Sequence, residues 1–156
     1  MSGISGSVEQ MTQAHLRNVQ QLAVFYTGHS NIYAINIAKV KAFIITEEVA
    51  INDTPKDTDV IAGIATIRGE PVTLINLDAW LGLPALQVKD YKLIIFCEFN
   101  HKKIGFLVKD MLDIVEKTTN ELRHTEETNS KITYTTDVRV NNKDELCTVF
   151  NAEQLL

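Results

Sequence analysis

The chain has 156 residues, 15 of them Lys or Arg and 20 Asp or Glu, for a formal net charge of −5 at pH 7. That length suits one domain that buries most of its surface without a disulfide or metal staple. The acidic balance and the lack of a Lys/Arg cluster exclude the electrostatic footprint of a nucleic-acid binder, and no apolar run approaches the ~18 residues of a membrane-spanning helix. Met1 to Gln13 lacks the basic and apolar parts of a signal peptide. A cytoplasmic setting is expected, with Cys97 and Cys147 reduced. Val, Ile and Thr number 13, 16 and 15 against seven Gly and three Pro, a bias toward strands.

In chain order, Ser7 with Gln10 three residues on predicts a helix start, and a short helix is expected over about 8–20. Leu22 to Tyr26 is extended, Gly28 to Asn31 is a turn, and Ile32 to Ile37 alternates as the second arm of a hairpin. Val40 to Ile45 continues as strand. Asn52 to Asp59 is polar, contains Pro55, and reads as a loop. Ile61–Ile67 and Val72–Asn76 flank Arg68-Gly69-Glu70-Pro71 as a hairpin, and Leu77 to Leu81 is a helical turn stopped by Gly82 and Pro84. Tyr91–Phe99, Lys102–Lys109 and Met111–Val115 are strands, and Lys117 to Lys131 is a polar loop. Tyr134–Val140 and Leu146–Asn151 form the last hairpin across Asn141 to Asp144. A helix begins at Glu153.

The pattern occurs twice. Phe25–Ile44 aligns with Phe96–Val115 at an offset of 71 without a gap, so Phe25 meets Phe96 and Val40 meets Met111. Leu74-Ile75-Asn76 aligns with Val149-Phe150-Asn151 at an offset of 75. Two similar all-β units of ~70 residues, packed on each other and closed into barrels that leave no exposed edge, are expected.

Chemistry is sparse. The histidines at 15, 29, 101 and 124 follow no metal-ligand spacing. Cys97 lies among Leu93, Ile95 and Phe99 and reads as a small buried hydrophobe. Phosphate-binding glycine loops and nucleophile elbows are missing, so neither an enzyme nor a cofactor is indicated. Asp53 ends a strand-like run as a phospho-accepting aspartate would, but the alternating β/α order of such domains is absent. Trp80 reads as a core plug. A small-molecule site inside a barrel is disfavoured, because small barrels are filled by their own side chains.

Binding surface remains. Ile37, Val40 and Phe43 recur at spacing three, and their repeat mates are Val108, Met111 and Ile114. Two such stripes around a pseudo-twofold would line a groove fit for a partner helix. Alternatively the same residues glue the two units together. Arg68, at a hairpin tip, is either a solvated turn residue or a charged anchor of an interface.

Residues 22–156 resemble the CheW family of chemotaxis coupling proteins. The strongest segment, Ile61 to Leu77, is similar with small variations to the family signature G-x-x-x-x-R-G-x-x-x-P-[VI]-[DN]-L, with Gly63, Arg68 and Gly69 in it. Ile35 to Val40, Asn76 to Trp80, and Glu98 to Asn100 with Lys103 to Phe106 look like CheV, a relative with a CheW-like domain followed by a receiver. No receiver follows here, so the chain is either a coupling domain cut from a longer one or a protein that never had a receiver. The resemblance implies a mostly β fold of two five-stranded, SH3-like barrels related by a pseudo-twofold, with repeats near 22–81 and 93–156. It also implies a non-enzymatic adaptor joining methyl-accepting chemoreceptor tips to the histidine kinase CheA in membrane-associated arrays. Its partners would include the kinase's CheW-like regulatory domain and other CheW or CheV copies, with no nucleic acid and no direct membrane insertion. Ile37, Val40, Phe43, Val108 and Met111 map to the receptor groove, and Gly63, Arg68 and Gly69 to the kinase interface. Ala42 departs from the family, where many members carry glutamate.

Overall fold

The computed structural model describes residues 19–52, 60–124 and 131–155. Among them are twelve strands. The first half contributes β1 (Val19–Tyr26), β2 (Ile32–Asn36), β3 (Val40–Ile45), β4 (Ala50–Asn52), β5 (Ile61–Ile67) and β6 (Glu70–Asn76), followed by the one-turn helix α1 (Leu77–Trp80). The second half contributes β7 (Leu93–Phe99), β8 (Lys102–Val108), β9 (Asp110–Thr118), β10 (Arg123–His124), β11 (Ile132–Val140) and β12 (Lys143–Phe150). The expected N-terminal helix lies outside the described residues except at Val19 and Gln20, which are strand: they pair with Thr118 and Lys117. The loop at 53–59 is likewise outside them.

The strands form two six-stranded sheets, ordered β10-β11-β12-β2-β1-β9 and β4-β5-β6-β8-β7-β3. Position by position these are one order, with each half's first hairpin inserted into the other half's sheet. The two parallel pairings match as well: Tyr33 faces Thr148 and Ala34 faces Val149, as Ile104 faces Thr73 and Gly105 faces Leu74. Those registers carry the offsets of 71 and 75. The β-bulge between Ile61 and Gly63 returns between Ile132 and Tyr134.

One detail of the repeat needs correction. Phe25 corresponds to Cys97, not Phe96. Phe25 faces Tyr33 and Met111, and Cys97 faces their mates Ile104 and Val40. The first hairpin's turn is one residue longer, which slips β1 alone and exchanges its faces.

Each sheet has six strands rather than the five expected of a barrel, because a 3-10 turn interrupts the extended run. Thr46–Glu48 carries the chain from the edge strand β3 to the opposite edge strand β4, and Thr119–Glu121 carries it from β9 to β10. Five residues from Ile45 to Ala50 reach about 17 Å. A flat sheet of six strands holds its edges about 24 Å apart, so each sheet must curl.

Curling creates three cores. Leu22, Val24, Ala34, Val138, Cys147 and Val149 fill one sheet, and Ala65, Val72, Leu74, Ile94, Phe96 and Leu107 fill the other. Between the sheets lies the third, with Phe25, Ile35, Ile95, Cys97, Phe106, Val108 and Phe150. Phe150 stands at its centre, edge-on to Phe25, Trp80 and Phe106 at 5.9, 5.7 and 5.1 Å. Leu22–Phe25 of β1 and Leu93–Cys97 of β7 feed two cores with alternate residues, which is why these runs are apolar instead of alternating with polar positions.

Candidate functional site

Two surfaces collect the residues singled out by sequence. The first flanks the inter-sheet core. Val40 and Met111, equivalent in the two halves, are half-buried and pack against it. Phe43 pairs with Ile95, and its mate Ile114 pairs with Ala23, so both lie on the inter-sheet face of their strands. They stand beyond the core, 37% and 49% exposed. Ile45, two residues after Phe43 on the same face, is also exposed. Ile37 sits in the 3-10 turn before β3. Asn36 caps that turn by accepting from the Ala38 N–H at 2.9 Å, and the Val40 N–H closes it on the Ile37 carbonyl. Ile37 therefore ends the stripe beside Gln20, Gln21 and Glu116, around a shallow pocket of about 350 Å3.

Val108 does not join them. It is fully buried in the inter-sheet core, because β8 lies inside its sheet and Val108 pairs with Leu93 on the inward face. For this residue the gluing alternative holds, and no partner can touch it. Ala42 packs against the core inside its own sheet, on the strand face opposite Phe43. Ile114, a member of the second stripe but not among the residues mapped to the receptor groove, belongs to this surface, as does Ile45, which the sequence reading placed in neither stripe. The repeat had already made Ile114 the mate of Phe43, and the period of two along β3 placed Ile45 with Phe43.

The second surface is the β5–β6 hairpin. Arg68 and Gly69 are its two-residue turn, with φ of 53° and 78°, the pair of positive values that matches strand twist. Ile67 and Glu70 close the turn, and Glu70 is ion-paired with Lys103. Arg68 is exposed and bonds to no other described residue. Gly63 is buried at the bulge. Beside it Ile61 and Ile64 are exposed on the outer face of the sheet, 42% and 37%. Strands β7 and β8 separate this hairpin from β3.

Behind both surfaces is a buried polar cluster. Asp78 on α1 accepts from the Tyr91 hydroxyl at 2.7 Å and from the Gly28 N–H at 3.0 Å through Oδ2. Tyr91 also bonds Asn76 Oδ1 at 3.0 Å and receives the Leu86 N–H. Burial first, and the bond to Asp78 second, push the Tyr91 hydroxyl up to about 12. His29 Nε2 lies 2.7 Å from the Pro84 carbonyl. These bonds clamp the first hairpin's turn, which belongs to one sheet, onto the segment that follows α1 in the other.

The chemistry available is that of packing and hydrogen bonding. Burial pushes both thiols, Cys97 and Cys147, up to about 12, so neither is a thiolate near neutral pH. Among the described residues no three His, Cys, Asp or Glu side chains converge as a metal site. Trp80 is a core plug, 6% exposed. No described helix is long and apolar enough to cross a membrane.

The fold is thus a pair of curled six-stranded sheets with an apolar stripe beside the inter-sheet core and an Arg-Gly hairpin tip. The profile of the CheW-like domain family matches residues 21–156, and the chain belongs to that family. It is similar to two chemotaxis proteins of Helicobacter pylori (strain ATCC 700392 / 26695). CheV3 is 36% identical over 81 residues, 51% of this chain and 25% of that protein. CheV2 is 25% identical over 128 residues, 74% of this chain and 41% of that protein. The chain thus spans less than half the length of these relatives. The scaffolding protein TtCheW from Thermoanaerobacter tengcongensis shares the fold, with a TM-score of 0.69 at 19% identity, over 85% of this chain and 88% of that one.

Proposed function

We propose that this chain is a non-enzymatic coupling module of chemotaxis, cytoplasmic and recruited to membrane-associated receptor arrays. It joins the tips of methyl-accepting chemoreceptors to the histidine kinase CheA. Each curled sheet acts as one barrel of a pseudo-twofold pair spanning 22–156. Val40, Phe43 and Met111, with Ile37 at one end and Ile114 added by the repeat, take the receptor's helical hairpin. The β5–β6 hairpin, with Gly63, Arg68 and Gly69, docks the kinase's CheW-like regulatory domain, and Ile61 and Ile64 supply its apolar area. The observation that carries the reading is the pair of equivalent apolar stripes left uncovered on either side of the inter-sheet core, in a chain of this family. Apolar positions repeated at helical reach suit a helix laid in a groove.

A second reading, a CheV-type coupling domain regulated by a receiver in the native chain, is favoured by the similarity to CheV3 and CheV2, which extend well beyond the matched region. The test is a titration of the folded domain with a receptor-tip fragment and with the kinase regulatory domain. Arg68→Ala is expected to weaken kinase binding several-fold and spare the receptor fragment. Val40→Asp, which sets a charge into an apolar contact, is expected to do the reverse. Unchanged binding in both variants discards the assigned surfaces, and no binding of either fragment by the unaltered domain discards the coupling reading.

A further inference from the structure

Each curled sheet has a seam where the 3-10 turn takes the chain from one edge strand to the other. In the second half the seam is shut. Strand β9 runs on to Thr118 and pairs with β1 as far as Val19. Thr118 and Glu121 close a reciprocal cap, Thr136 Oγ1 donates to the Glu121 carbonyl at 2.8 Å, and Leu122 is buried behind them. In the first half β3 ends at Ile45. The Thr46 N–H still reaches the Lys92 carbonyl at 3.0 Å, and there pairing stops, because the turn Val88–Asp90 brings the chain in from the side.

The two chains diverge around a wedge of about 800 Å3, a size typical of small-ligand sites. Its walls are Ile45, Ile51, Val88 and Tyr91. Thr46 also lines it. This side chain is only 7% exposed, and its Oγ1 has no hydrogen-bond partner, an unfavourable state for a buried hydroxyl unless a ligand completes it. Lys89 and Lys92 stand exposed at the rim with Glu47. The rim is therefore net positive in a chain of net charge −5. Neither ammonium is ion-paired among the described residues. The other half shows that the fold does not require this opening. At the places of Ile45 and Ile51 it has Glu116 and the buried Leu122.

We propose that the wedge is a binding site for a small amphipathic carboxylate. Its apolar body lies against Ile45, Ile51 and Val88, Lys89 and Lys92 hold the carboxylate through charge-assisted bonds, and the Thr46 hydroxyl supplies a buried donor.

The test is an amide NMR titration of the domain with decanoate below its micelle concentration, with decanol as the uncharged control. Saturable shifts centred on Thr46, Glu47, Val88 and Lys92 are expected, with decanoate at least five-fold tighter than decanol. Lys89→Gln with Lys92→Gln should remove that preference. Thr46→Val should weaken decanoate while raising the domain's melting temperature, since the unpartnered hydroxyl is gone. Equal binding of decanol and decanoate, or a preference that survives the lysine changes, overturns the carboxylate assignment. So does a wedge whose amides ignore decanoate and shift only when the kinase regulatory domain is added, which would make it a protein contact.

Discussion

Ile64 and Thr66 in the first half occupy the places of Thr135 and Asp137 in the second, as the shared register requires. Next to them, Asn52 on β4 stands where Arg123 stands on β10. In the first half these places are uncharged, with Ile61 and Ile64 exposed. In the second the outer face is charged, with a bidentate Arg123–Asp137 pair at 3.1 Å and Arg139 with Asp144 at 3.4 Å. The inward positions do not diverge in this way: Ala65 and Ile67, like Thr136 and Val138, are buried. Inward residues hold the shared architecture, while outward ones are free to differ in chemistry between the halves.

The most damaging test of this pairing is Phe150→Ala. Phe150 is a second-half residue whose ring contacts join residues of both halves, and its loss should cost about 3–5 kcal/mol. Urea unfolding should remain a single transition, and two transitions would mean that the halves are independent. Gly28→Ala should cost about 1–3 kcal/mol. A Cβ there comes within 2.6 Å of Asp78 Oδ2 and 2.7 Å of Leu86 Cδ1. The turn of the second hairpin, Asn100-His101, is exposed and bears no such clamp, so Asn100→Gly should stay within about 0.5 kcal/mol. Phe43→Lys and Ile114→Lys compare the two stripes. Each should weaken receptor-fragment binding about ten-fold, or ~1.4 kcal/mol, without lowering the melting temperature. If only the first does so, the groove belongs to one half.

The smallest expected effect is on acid stability. Hydrogen bonds from Arg123 hold the Asp137 carboxyl below its ordinary value. A carboxylate lowered in the folded state contributes stability that is complete above the unfolded value, near 3.8, and is lost as pH falls through the lower folded value. Asp137→Asn should therefore leave the urea midpoint lower than the unaltered domain's at pH 6, with the gap narrowing toward pH 3. A gap that widens on acidification would reverse the sign of this contribution.

Much of the architecture was legible in the sequence. Leu22 to Tyr26 and Tyr91 to Phe99 read as extended, and strands lie there at Val19–Tyr26 and Leu93–Phe99, while Arg68-Gly69 marked a hairpin turn. The offsets of 71 and 75 reappear as register in the parallel pairings. What escaped depended on partners distant in sequence. Val108 has the same apolar character as Met111 and differs only in lying on an inner strand. The one-residue slip of β1 follows from turn length, to which an apolar pattern is blind. Strand β10 hides in a polar stretch because its two residues, Arg123 and His124, are exposed and held by β11 residues distant in sequence, through strand pairing, the Arg123–Asp137 bonds and the His124–Tyr134 ring contact. The buried cluster of Asp78 and Tyr91 carried no motif. Nothing in the spacing of an aspartate and a tyrosine thirteen residues apart predicts their bond.

The exchanged hairpins also constrain how the molecule comes into being. On a ribosome β2 emerges early, but its parallel neighbour β12 follows more than a hundred residues later. At about 5–20 residues per second, several seconds separate them. Through that interval the sheet holding β1 and β2 cannot be completed, since it lacks strands encoded at the far end, whereas the last strand of the other sheet, β8, is already made at Val108. The nascent chain must hold Tyr33, Ala34 and Ile35 uncovered until synthesis reaches Val149. Folding therefore follows translation of this region, and the molecule depends on its surroundings to keep an unfinished apolar surface from pairing with a neighbouring chain.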